Sequence, residues 1–102
     1  MYVILWEFVV QPDRVADFVA AYRTDGDWAK LFRLANGYLG TELLNAADDP
    51  ARFLTIDRWR NAKDFVRFKD QFHVQYRELD THFEGLIIRE THLGSFTTET
   101  GT

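Results

Sequence analysis

The stretch that decides the fold is residues 2 to 10, YVILWEFVV. It is β-branched and aromatic almost throughout, interrupted only by Glu7 and stopped by Gln11 and Pro12, which is the pattern of a central strand apolar on both faces. Successive side chains alternate across a strand. Tyr2, Ile4, Trp6, Phe8 and Val10 therefore point one way, while Val3, Leu5 and Val9 point the other. A layer of helices covers one such face, and the second needs a cover of its own.

Downstream, the period changes at Pro12. Val15, Phe18, Val19 and Tyr22 fall at i, i+3, i+4 and i+7, which predicts an amphipathic helix with Pro12 and Asp13 in its first turn. Asp25 and Gly26 break it. Asp27 then caps a second short helix with Trp28, Leu31, Phe32 and Ala35 on its apolar face, closed by Asn36 and Gly37. Residues 38 to 46 and 52 to 60 read as two antiparallel strands joined by the turn-rich Ala47, Asp48, Asp49 and Pro50. Asn61 and Asp64 resemble a capping box. Phe65, Phe68, Phe72, Tyr76, Leu79 and Phe83 follow at helical steps and predict one long helix with an aromatic stripe. Gly85 ends it, residues 86 to 93 form a last strand, and the Thr- and Gly-rich residues 97 to 102 read as a frayed tail.

Strand, helix, strand, strand, helix, strand is the split βαβ order of an α+β, ferredoxin-like fold: a four-stranded antiparallel sheet with both main helices on one face. One domain over residues 1–96 is expected, with no linker or internal repeat. The simplest cover for the second face is the sheet of another copy, giving a homodimer in which two sheets close a barrel.

Composition narrows the function. The 102 residues are 46% hydrophobic, enough for a core without staples, and the aromatic share of 16% leaves large apolar surface for a ligand or an interface. Twelve Lys and Arg against sixteen Asp and Glu give a net charge of −4 without a basic run, which argues against a nucleic-acid partner. The absence of Cys excludes thiolate chemistry and sulfur-ligated zinc, and it fits a cytoplasmic protein. Residues 1 to 10 carry no basic leader and are too short an apolar run to span a membrane, so no membrane association is expected. No phosphate-binding glycine motif or nucleophile elbow is present, and no cofactor is expected.

Several side chains are candidates for a site. Trp6, Trp28 and Trp59 come from a strand, a helix and another strand, and they can converge only between sheet and helices, where a planar aromatic ligand would stack; plain core packing is the alternative. Tyr22, Tyr38 and Tyr76 offer phenol hydroxyls, and Arg58 offers a charge for an enolate or phenolate. Arg58 and Trp59 have opposite strand parity, so only one of them faces a given pocket. His73 could act as acid or base, against the plainer reading of a helix-surface histidine. His73, His82 and His92 lack metal-pair spacing, and no metal site is expected. Glu7 and Glu42 read as edge or interface charges.

The segments ILWEF (4–8), GYLGTELL (37–44), TIDRW (55–59) and HLGSF (92–96) resemble the antibiotic biosynthesis monooxygenase family, of the dimeric α/β-barrel group. In that family the third strand ends in a Trp and is followed by a helix with two spaced histidines. Trp59 and His73 match this pattern, whereas Phe68 replaces the first histidine. The resemblance implies cofactor-independent oxygenation of electron-rich phenols, anthrones or quinols, in which the deprotonated substrate reacts with dioxygen directly. It makes Trp59, His73 and Tyr76 the candidate catalytic set, with Trp6, Trp28, Tyr22, Phe68, Phe72 and Arg58 as candidate substrate-binding residues. Haem-degrading relatives carry an Asn on the first strand and an axial His near position 76, where this chain has Trp6 or Glu7 and Tyr76 or Glu78. A monooxygenase acting on an aromatic polyketide-like or quinol-type molecule is the leading reading. The alternative is a non-catalytic dimer that binds a small aromatic molecule.

Overall fold

The computed structural model describes residues 1–99. The central strand is where its alternation places it: β1 spans Tyr2–Val10, with Ile4, Phe8 and Val10 buried on the helix side. A 3₁₀ turn at Pro12–Arg14 leads into α1 (Val15–Tyr22), which buries Phe18, Ala21 and Tyr22. Gly26 then makes a tight passage, where a Cβ would lie 2.6 Å from the carbonyl oxygens of Ala20 and Ala21. The next helix, α2 (Asp27–Phe32), buries Trp28, Leu31 and Phe32. Its N-cap is Gly26, and the Asp27 side chain makes no capping bond.

The hairpin follows as β2 (Tyr38–Asn45) and β3 (Arg52–Trp59). Asn61 caps α3 (Ala62–Gln71) by accepting from the Asp64 backbone N–H at 2.9 Å, an interaction worth about 1 kcal/mol in such positions. The Asp64 carboxylate does not reach back to complete the box. It is buried, it pairs with Arg60 and Arg67 at 2.8 and 3.1 Å, and it lies against Gly37. Gly37 has φ +90°, and a Cβ there would come 2.2 Å from Asp64 Oδ2, so this corner requires glycine on both counts.

The single long helix expected over the aromatic stripe is two helices. Phe72 leaves the helical region (φ −113°, ψ 25°), and α4 (His73–Phe83) starts immediately after it. Backbone bonds from Phe72 to Phe68 and from Tyr76 to Phe72 bridge the break, so Phe68, Phe72 and Tyr76 all still pack on the core. A 3₁₀ turn at Glu84–Leu86 replaces a sharp stop at Gly85 and puts Leu86 in the core. The last strand, β4 (Ile87–Thr97), is longer than expected. Thr97 belongs to it and Thr98 bonds back to the Met1 carbonyl, whereas residues 100–102 of the expected tail lie outside the described residues.

The strands are ordered β2-β3-β1-β4, all neighbours antiparallel, which is the ferredoxin-like arrangement. The core between sheet and helices is predominantly aromatic. Phe8, Phe18, Phe53, Trp59 and Phe68 are at most 4% exposed, and burial of a Phe contributes roughly 1.5–3 kcal/mol. The opposite face of the sheet is carried by Val3, Leu5 and Val9 of β1, whose register partners include Ile56 and Phe96. No helix covers it: Leu44 is 43% and Phe96 53% exposed. Two ion pairs cross this face, Arg52 to Glu7 at 3.2 Å and Arg58 to Glu42. No helix among the described residues is long and apolar enough to cross a membrane.

Candidate functional site

Between the sheet and the helices lies a cavity of about 110 Å³. Its sheet wall comes from Trp6 and Phe8 of β1, Thr41 of β2, and Thr55 and Asp57 of β3. Its helix wall comes from Tyr22 of α1, Trp28 and Phe32 of α2, and Tyr76 and Asp80 of α4, while Glu90 of β4 completes the rim. By volume it approaches the roughly 150 Å³ apolar cavity that holds one benzene ring.

Strand parity explains the sheet wall. Phe53, Thr55, Asp57 and Trp59 alternate onto the helix side, and the register sets Thr41 opposite Asp57. Aromatic rings supply most of the remaining surface. Tyr22 and Trp28 stand 6.0 Å apart between centroids, and Trp28 meets Tyr76 edge-on at 5.0 Å. The buried indole N–H groups of Trp28 and Trp59 make no well-formed hydrogen bond, and that of Trp28 lies close enough to the Tyr22 hydroxyl to oppose the effect of burial there.

Three carboxylates reach this space. Asp57 is partly buried, accepts from the Thr41 hydroxyl at 2.7 Å, and is pushed up to about 6 by burial, with the Thr41 bond opposing. Asp80 and Glu90 are exposed and stand at the mouth. Burial raises the Glu90 carboxyl above its usual value, and the charge on Asp80 raises it further. None of the three is in a salt bridge with any described Lys or Arg. Burial, reinforced by Asp80, pushes the Tyr76 phenol up to about 12, and burial raises Tyr22 as well, so both remain hydrogen-bond donors near neutral pH. Lys69 lies over the Tyr76 ring, 3.8 Å from its centroid, and does not line the cavity.

Of the residues singled out from the sequence, Trp6, Tyr22, Trp28 and Tyr76 meet at this cavity. The others sit elsewhere. Trp59 is fully buried on the helix side, surrounded by Phe32, Tyr38, Phe65 and Phe68 at 5.2–5.8 Å, and is core beside the cavity rather than wall. Phe68 packs in that same cluster, and Phe72 stacks on Phe68 at 5.6 Å. Arg58 faces the opposite side of the sheet and pairs with Glu42, so parity resolves in favour of Trp59 for the helix side. His73 is exposed at the start of α4, its Nδ1 3.0 Å from the Asp70 carbonyl oxygen. No histidine lines the cavity.

Sequence reasoning missed Asp57, Thr41, Asp80 and Glu90. The signal for Asp57 was available: it shares parity with Phe53 and Trp59, and an acid on the apolar face of a strand is anomalous. Asp80 lies one helical turn beyond Tyr76. Glu90 carried no such signal, because the bulges in β4 shift its register against β1.

A four-stranded antiparallel sheet with helices on one face and a cavity between the layers makes this a small ferredoxin-like α+β protein. The chain belongs to the antibiotic biosynthesis monooxygenase family, whose model matches residues 1–76. No curated protein matches the sequence. Solved structures confirm the fold at low identity. SnoaB, a cofactor-independent oxygenase from Streptomyces nogalater, is 21% identical with a TM-score of 0.75, over 97% of this chain and 93% of its own. A Nitrosomonas europaea protein assigned to the same family is 22% identical with a TM-score of 0.74, over 96% and 98%. One from Deinococcus radiodurans is 13% identical with a TM-score of 0.78, over 100% and 96%.

Proposed function

We propose that this protein is a cofactor-independent monooxygenase that oxidises a small phenol, quinol or anthrone-type molecule with dioxygen in the cavity between sheet and helices. The observation that carries the reading is Asp57: a carboxylate half-sequestered among aromatic rings, without a cationic partner and titrating near 6. A base with that pKa is largely ionised at neutral pH yet basic enough to accept a proton from an activated substrate. Asp57 takes the proton, and the substrate carbanion delivers electrons to dioxygen and forms a carbon–oxygen bond. For a methylene substrate, loss of water from the resulting hydroperoxide leaves a carbonyl, so one oxygen atom enters the product and the other leaves as water. Tyr76 and Tyr22 donate hydrogen bonds to the substrate oxygen on which charge develops, and the aromatic walls exclude water.

The cavity volume fits one ring, so a larger substrate places its reacting ring inside and the remainder at the mouth. The uncovered sheet face, with Val3, Leu5, Ile56 and Phe96, supports a homodimer formed face to face. Oxygen consumption with a panel of hydroquinones, naphthoquinols and anthrones tests the activity. Acceleration over buffer that disappears in Asp57→Asn is the expected result, and a panel without any acceleration overturns the reading.

A further inference from the structure

The charge around the cavity is one-sided. Asp57 lies on its inner wall and Asp80 and Glu90 at its mouth, and no Lys, Arg or His is among the residues that line it. Glu7, Glu42, Asp48 and Asp64 each hold an arginine, and unpaired acids such as Asp13 and Asp70 stand on open surface, whereas these three unpaired acids share one cavity. The carboxylates do not converge on a common point as metal ligands would, since no group of three or more candidate ligands in the described residues is close enough to hold an ion. Their negative potential instead spreads over a slot with aromatic walls, and aromatic faces add to it because the ring quadrupole attracts cations. At the same time the buried Trp28 indole N–H, at the cavity wall beside Tyr22, makes no well-formed hydrogen bond, and a buried donor in that state gains from a ligand oxygen that accepts from it.

These features specify complementary ends of one ligand. An oxygen at the inner end can accept from Trp28 and donate its proton to Asp57. A positive charge at the outer end meets Asp80 and Glu90, where partial exposure leaves the charge partly solvated and spares it the full cost of burial. An anionic group at either end finds no cation. We propose that the cavity selects hydroxylated one-ring aromatics that carry a cationic amine, and rejects the corresponding carboxylates. Lys69 does not reverse this, because its ammonium is held on the Tyr76 ring and flanked by Asp80. His92 lies against Trp6, 4.9 Å between ring centroids and tilted, and is outside the cavity lining.

The inference rests on the same cavity as the proposed function, but it concerns binding alone and is separable from turnover. Calorimetric titration under anaerobic conditions with tyramine, 4-ethylphenol and 4-hydroxyphenylacetate compares a cation, a neutral molecule and an anion of similar shape. The amine is expected to bind about tenfold more tightly than the neutral phenol, and the carboxylate about tenfold more weakly than it. In the double variant Asp80→Asn with Glu90→Gln, both in exposed positions that the fold does not depend on, the amine's advantage is expected to fall below about threefold. Equal affinities for amine and carboxylate, no binding of any of the three, or an advantage that survives the double variant each overturn the proposal. Equal affinities accompanied by oxygen uptake would leave the oxygenase reading standing. Charge selectivity without oxygen uptake would do the reverse.

Discussion

Thr41 and Asp57 oppose each other across the β2–β3 register, and the Thr41 hydroxyl donates to Asp57 Oδ1 at 2.7 Å. Because that proton is committed, the Tyr38 hydroxyl, 2.6 Å from the same Thr41 oxygen, is the donor in the second bond. The chain Tyr38 to Thr41 to Asp57 fixes one carboxylate oxygen. It does not neutralise the charge, so burial prevails and the Asp57 pKa rises.

That rise has a thermodynamic consequence. The folded protein holds the Asp57 proton up to about pH 6, while the unfolded chain releases it near 4. Between those values the native state binds more protons, so stability falls as pH rises through this window and stays lowered above it. Asp57→Asn removes the cost and can still accept from Thr41. It is expected to be more stable than the parent by about 1–3 kcal/mol at pH 7, with the difference vanishing near pH 4. Urea unfolding of both proteins at pH 4 and pH 7 checks this.

In the proposed mechanism the same group sets the pH dependence of the rate. If Asp57 is the base, kcat/KM rises with pH through about 6 and then levels, since only the ionised carboxylate accepts the proton. Asp57→Asn should lose about 10² or more in kcat together with that limb. A profile in which His73→Ala, and not Asp57→Asn, abolishes the limb would return the role to the histidine.

Trp59 separates stability from binding. It is fully buried in a ring of aromatic side chains and does not line the cavity. Trp59→Ala should cost about 3–5 kcal/mol in thermal or denaturant unfolding. Ligand affinity of the folded fraction should change less than about threefold, whereas Trp28→Phe, which removes an indole N–H from the cavity wall, should weaken binding.

The uncovered sheet face predicts the assembly. Light scattering at micromolar concentration should give twice the chain mass. Ile56→Lys, which places a charge opposite Leu5 and Glu42 in the middle of that face, should yield monomers. A wild-type protein that scatters as a monomer would refute face-to-face pairing.

What the sequence determined by itself is the order and kind of the elements, because strand alternation and helical spacing are local properties of the chain. Tyr2 to Val10 announced a two-faced central strand, and the stripe from Phe65 to Phe83 announced helix facing sheet. Local periodicity could not show that the helix breaks at Phe72, since the apolar spacing is the same in one continuous helix and in two helices joined by a non-helical residue. It could not choose between Arg58 and Trp59 either, because parity says only that they diverge. Register and packing made that choice, sending Trp59 into the core and Arg58 to Glu42. The cavity itself belongs wholly to the tertiary structure. It is the space left where side chains from four strands and three helices do not quite meet, and there Asp57, Asp80 and Glu90, from three different elements, come to line one cavity.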